Sequence, residues 1–145
     1  MARLFSEHRE AIRALLPEAE VEHIGATAVP GVLTKGDLDL LVRVPAARFA
    51  TAIPVLKERY EVHQPENWTS RFASFKAAAQ GEIPVAVQLV AADSEEDRQL
   101  VGWRERLIAD RGLLDRYNAF KRAQVGAGAE AYAEAKAEFI NRQAE

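Results

Sequence analysis

The chain has no cysteine, which excludes a disulfide framework, a thiolate metal site and a thiol nucleophile. Histidine is scarce and scattered, three in 145 residues, so a histidine-rich zinc site is not expected. No apolar run is long enough to span a bilayer. The opening stretch MARLFSEHREAIRALLPEAE mixes acids with bases and resembles neither a signal peptide nor a transit peptide. A dominant charge is missing too: the net charge of −3 provides no electrostatic footprint for nonspecific nucleic-acid binding. Repeats, low-complexity linkers and shifts of composition are absent. The expectation is a cytoplasmic protein with no membrane partner, folded as one domain over residues 1–145. At 48% hydrophobic and 28% charged residues, it is too apolar for a disordered chain.

Leu4, Phe5, His8, Ile12, Leu15 and Leu16 recur at helical spacing, and Pro17 closes that segment. AEVEHIG reads as a short strand ending at Gly25. Residues 26–36, with Pro30, Gly31 and Gly36, read as a loop or broken helical turn. DLDLLVRV, stopped by Pro45, is the clearest strand. Residues 46–60 carry Phe49, Ile53 and Leu56 at helical spacing, with Pro54 as a bend. YEVHQ, WTSRFASFKA and IPVAVQLVA read as three further strands. Beyond Ala92 the pattern is helical. Ser94 and Asp97 form a capping box, and Leu100, Trp103, Leu107 and Ile108 make an apolar stripe. Gly112 breaks the pattern before a second helix with Leu113, Tyr117 and Phe120, and Gly126 and Gly128 precede a third with Tyr132 and Phe139. This is an α+β architecture, a mixed β-sheet flanked by helices with a helical C-terminal segment.

The chemistry gathers at GATAVPGVLTKGDLDLLVRV, residues 25–44. On a strand, residues i and i+2 share a face, so Asp37 and Asp39 project together while Leu38 and Leu40 turn to the core. Two carboxylates repel unless they meet solvent or a cation. Mg²⁺ commonly takes one or two carboxylates together with substrate phosphates. Gly25 and Gly31 let the backbone approach a phosphate, and Thr27, Thr34 and Lys35 are donors for it. The pattern suits metal-assisted phosphoryl or nucleotidyl transfer. A D-x-D that merely marks a solvated strand edge is the competing explanation.

Gly25-Ala26, ten residues, then Asp37-Leu38-Asp39-Leu40 resembles the glycine-[glycine or serine]-spacer-Dh[D/E]h signature of the nucleotidyltransferase superfamily. More closely, EHIGATAVPGVLTKGDLDLLVRV resembles the GrpB family, with weaker support from YNAFKR and YAEAKAEFI near the C-terminus. The resemblance implies a nucleotidyltransferase-like fold in which Asp37 and Asp39 bind Mg²⁺ or Mn²⁺ and serve as the catalytic acids. Active nucleotidyltransferases usually add a third carboxylate from a later strand. Here IPVAVQLV offers only Gln88, whose amide can ligate a metal but cannot usefully take a proton near neutral pH. Ala26 replaces the usual serine and removes a hydroxyl from the phosphate side, leaving the backbone N–H.

His23 either sits beside the acids, orienting one or touching substrate, or is a strand histidine satisfied by backbone groups. Lys35 binds phosphate or neutralises Asp37. Lys121, on YNAFKR with Asn118, reaches the ligand or stays solvated. Arg71 and Lys76 read as surface charges. Trp68 and Trp103 read as core or subunit-contact residues, with Trp68 the better placed for base stacking. Three functions follow: an Mg²⁺-dependent transferase acting on a nucleotide, a non-catalytic module for a nucleotide or other phosphorylated small molecule, and a structural or partner-binding protein. GrpB-like domains fused to a dephospho-coenzyme A kinase imply an accessory part in coenzyme A metabolism for the second.

Overall fold

A computed structural model describes residues 2–31, 36–77, 83–124 and 128–144. A five-stranded sheet runs in the order β1-β2-β5-β4-β3, with β1 Glu20–Ile24, β2 Leu38–Val44, β3 Glu61–Val62, β4 Phe72–Ala77 and β5 Val85–Ala91. β2 and β5 pair in parallel at the centre, and the other neighbours are antiparallel. The sheet is therefore mixed. The two central strands are nearly continuous apolar runs because helices cover both of their faces.

Two helices, α1 (Ala2–Leu15) and α2 (Phe49–Lys57), cover one face. Ile12, Ala52 and Leu56 pack there on Leu38, Leu40, Val42, Phe75, Val87 and Leu89. The opposite face carries α3 (Glu95–Ala109), α4 (Arg111–Ala123) and α5 (Ala129–Ala144). Ile24, Leu41 and Val90 meet Phe72, Leu100 and Val101 there, beside an aromatic group of Trp103, Tyr117, Phe120 and Phe139. No helix among the described residues is long and apolar enough to cross a membrane.

Several expected boundaries move for identifiable reasons. β3 is only two residues long, since Gln64 takes a left-handed φ of 46° and Pro65 starts a short 3₁₀ turn. Residues 46–48 form a 3₁₀ turn before α2, and Pro54 lies inside that helix. The second C-terminal helix begins ahead of Gly112 because Asp110 caps it, accepting from the Leu113 N–H at 3.1 Å. The Ser94 cap is present, its hydroxyl accepting from the Asp97 N–H at 3.2 Å. Ile108 leaves the apolar stripe and is exposed.

Candidate active site

Register fixes which side chains share the face toward α3–α5. Asp39 lies opposite Ile24 and Ala86, Gln88 opposite Leu41 and Ser74, and Phe72 opposite Val90. A cavity of about 480 Å³ crosses the sheet diagonally over Gly25, Asp39, Gln88 and Phe72. Its roof comes from Leu100, Trp103 and Leu107 of α3, Tyr117 of α4 and Lys136 of α5. The volume lies in the range of small-ligand pockets.

Asp39 is the most perturbed acid on this wall. Burial pushes its carboxyl up to about 6, the Lys136 charge pulls it back, Asp37 raises it further and Lys121 opposes. Gly25 makes room for that carboxylate: its φ is +78°, and a Cβ there would lie 2.8 Å from Asp39 Cγ and closer still to Oδ2. Glycine is therefore required at this position by a neighbouring side chain as well as by its own backbone. After it, residues 26–28, starting with Ala26, form a 3₁₀ turn closed by the Ala28 N–H on the Gly25 carbonyl at 3.1 Å.

Asp37 sits just ahead of β2, and Thr27 anchors its backbone. The Thr27 hydroxyl donates to the Asp37 carbonyl at 3.0 Å and accepts from His23 Nε2 at 2.7 Å. With its one proton committed, the Thr27 hydroxyl is no longer a donor for phosphate. His23 shares a face with Leu40, turned away from the cavity, and stacks on Phe5 of α1 at 5.5 Å. Burial and then the Arg104 charge hold its pKa below the ordinary value, favouring the neutral ring that donates through Nε2. It is linked to Asp37 through Thr27, as a positioning residue, and is not among the residues lining the cavity.

The structure thus brings Gly25, Asp39 and Gln88 to one wall, with the Asp37 and Lys121 charges felt at Asp39. Lys121 lies over the Tyr117 ring at 5.1 Å, and Asn118 donates to the Gly31 carbonyl at 2.9 Å, tying α4 to the glycine loop. Thr34 and Lys35 lie outside the described residues. Trp68 is not at the site. It packs on Phe75 at 5.3 Å and donates to the His63 carbonyl at 3.1 Å, whereas Trp103 faces the cavity. Lys136 was missed by the sequence reading, although Tyr132, Lys136 and Phe139 stand at helical spacing on one side of α5.

An ionic cluster beside the cavity fixes α3 to the sheet. Arg43 contacts Asp97 at 2.6 Å, Glu22 at 2.7 Å and Glu20 at 2.8 Å, and Arg104 joins Glu22 at 3.0 Å and the His23 carbonyl at 3.0 Å. Burial would raise the pKa of Asp97 and Glu22, but the guanidinium hydrogen bonds outweigh it and leave both lowered.

The donor set fits a hard divalent cation. Among the described residues no group of three or more acids and histidines could hold a metal alone. Mg²⁺ needs only one or two carboxylates when water and phosphate complete its octahedron. Asp39 is a desolvated carboxylate with a negative neighbour, an environment that a cation would relieve.

The mixed sheet, the glycine turn leading to a D-x-D strand and the cavity above it define a nucleotidyltransferase-like fold. The chain belongs to the GrpB family, whose model, GrpB protein, matches residues 1–145. It is 34% identical over 139 residues to a UPF0157 protein of Vibrio cholerae serotype O1, spanning 96% of this chain and 73% of that protein. Its fold is similar to that of GrpB from Enterococcus faecalis, with a TM-score of 0.70 at 21% identity over 99% of this chain and 94% of the other. It is also similar to the Cid1 poly(U) polymerase, with a TM-score of 0.53 at 14% identity over 81% of this chain and 36% of that one. Terminal uridylyl transferase 4 from Trypanosoma brucei with bound dUTP gives 0.52 at 16% identity, over 75% and 38%. The chain therefore spans little more than a third of these two transferases, and the likeness is one of fold.

Proposed function

We propose that this protein binds a nucleoside triphosphate with Mg²⁺ or Mn²⁺ in the cavity above Asp39 and transfers its nucleotidyl group to an acceptor hydroxyl. The observation that carries the reading is Asp39 itself, a half-buried carboxylate raised to about 6, next to Asp37 and open to a cavity of ligand size. Asp37 and Asp39 would hold the ion. Once bound, the ion supplies neutralisation of phosphate charge, which dominates catalysis of this kind.

The chain's own residues do the remainder. Gly25 keeps space open in front of the Asp39 carboxylate. The His23–Thr27–Asp37 chain holds the loop carrying the acids. Lys136 and Lys121 bring positive charge to the same end, where phosphates would lie. Trp103, Leu100 and Leu107 exclude water above it. In the transfer, the acceptor oxygen bonds to the α-phosphorus as the bond to the pyrophosphate oxygen breaks. The acceptor proton leaves to water or to pyrophosphate.

That last point favours a second reading. The β5 positions facing the cavity are Ala86, Gln88 and Val90, with no acid among them to take the proton. A non-catalytic module for a nucleotide or related phosphorylated ligand matches that composition, and dephospho-coenzyme A is one such ligand to include. Isothermal calorimetry with Mg²⁺ and a nucleoside triphosphate panel, followed by turnover of α-labelled nucleotide, separates the two. Binding that weakens about tenfold or more in Asp39→Asn, with turnover, supports the transferase. Binding without turnover supports the module. No binding of any phosphorylated ligand overturns both.

A further inference from the structure

The end of the cavity farthest from Asp39 has a different chemistry. From Asp39 to Phe72 the floor runs four residues along the sheet and two strands across, on the order of 16 Å at ordinary strand rise and spacing. Glu96, in the first turn of α3, lines the cavity with Phe72, Gln99 and Leu100. Its Oε1 pairs with Arg71 Nη2 at 3.1 Å. Its Oε2 is buried and, among the described residues, has no hydrogen-bond partner. An ionised carboxylate can only accept hydrogen bonds, and a buried acceptor left unpaired is unfavourable. A donor on a molecule seated between the apolar surfaces of Phe72 and Leu100 would satisfy it.

We infer that this end of the cavity holds the heterocycle of the nucleotide and that Glu96 Oε2 accepts a hydrogen bond from its exocyclic amine, selecting amino-bearing bases over uracil. The inference rests on the nucleotide reading above and deepens it. Adenine, cytosine and guanine each carry an NH₂ group. Uracil offers one ring N–H flanked by two carbonyl oxygens, which a carboxylate approaching that N–H would meet as a second repulsive acceptor. Recognition here therefore departs from the dUTP complex of the T. brucei transferase noted above, a likeness of fold alone.

The test is the ratio of affinities for ATP, CTP, GTP and UTP, each with Mg²⁺, measured by calorimetry on the full chain. Because it is a ratio within one preparation, partial loss of folded protein cancels. In the wild type, UTP binds about tenfold or more weakly than the best amino-bearing nucleotide, as for a hydrogen bond to a charged group. Glu96→Gln, whose amide also donates, raises UTP affinity and lowers that of the preferred nucleotide, closing the gap. Arg71→Gln breaks the same ion pair but keeps the Oε2 acceptor, so the preference survives. UTP binding as tightly as the others, or a ratio unmoved by Glu96→Gln, overturns the inference and leaves Glu96 as a tie between α3 and β4. If no nucleotide binds the wild type, the nucleotide reading fails and this inference fails with it.

Discussion

Toward α1 and α2 the sheet presents Leu38, Leu40, Val42, Val87 and Leu89, all fully buried. Toward α3–α5 the same two strands present Asp39, Arg43 and Gln88 among Leu41, Ala86 and Val90, with a cavity over Asp39 and Gln88. The apolar side makes few polar demands. Its main one is met by His8 Nδ1 and the Tyr60 hydroxyl, 2.6 Å apart. The other side carries two opposite solutions to buried charge. Arg43 is surrounded by three carboxylates, so its cluster is compensated internally. Asp39 takes no part in that cluster and is a carboxylate whose charge burial disfavours. Burial of charge is thus resolved by pairing around Arg43 and left unresolved at Asp39, which lines the cavity.

Breaking the apolar side should have the largest effect. Leu40→Ala leaves a cavity in a fully buried position and should cost about 2–5 kcal/mol in urea denaturation, with little dependence on pH. Arg43→Ala comes next, at about 3 kcal/mol near pH 7, because it strands the buried Asp97 beside Glu22. Here the size of the effect depends on pH. Asp97 and Glu22 have folded pKa values below 3.8 and 4.5, so their pairing stabilises the fold above those values and is lost as pH falls through the lowered ones. The penalty of Arg43→Ala should shrink on acidification. A penalty that stays constant with pH would show that packing of the arginine stem, and not charge pairing, holds α3 to the sheet.

The two faces also differ in how far the sequence discloses them. Alternation in DLDLLVRV fixes Leu38 and Leu40 inward and Asp39 outward, since strand period alone decides that. The Ser94 cap is equally local, reaching only to Asp97. The same Asp97 side chain also binds Arg43, 54 positions away, and no local pattern reveals such a partner. His23 lies near the acids in sequence, and strand alternation puts it on the Leu40 side, linked to Asp37 through Thr27. Trp68 and Trp103 are alike in composition, and only the packing of α3 over the sheet sends the second to the cavity. Lys136 depends on where α5 docks, which its helical spacing alone does not determine.

The most direct test of the account is the stability of wild type and Asp39→Asn compared across pH 4 to 8. A carboxyl raised from 3.8 to about 6 binds its proton more tightly folded than unfolded, so its charge opposes folding increasingly as pH rises through that window. The asparagine variant should match the wild type near pH 4 and exceed it by up to about 3 kcal/mol at pH 8, with added Mg²⁺ raising the wild-type melting temperature alone and narrowing the gap. A gap that does not grow with pH, or an asparagine variant less stable at pH 8, would contradict the claim that the fold keeps Asp39 desolvated for a cation.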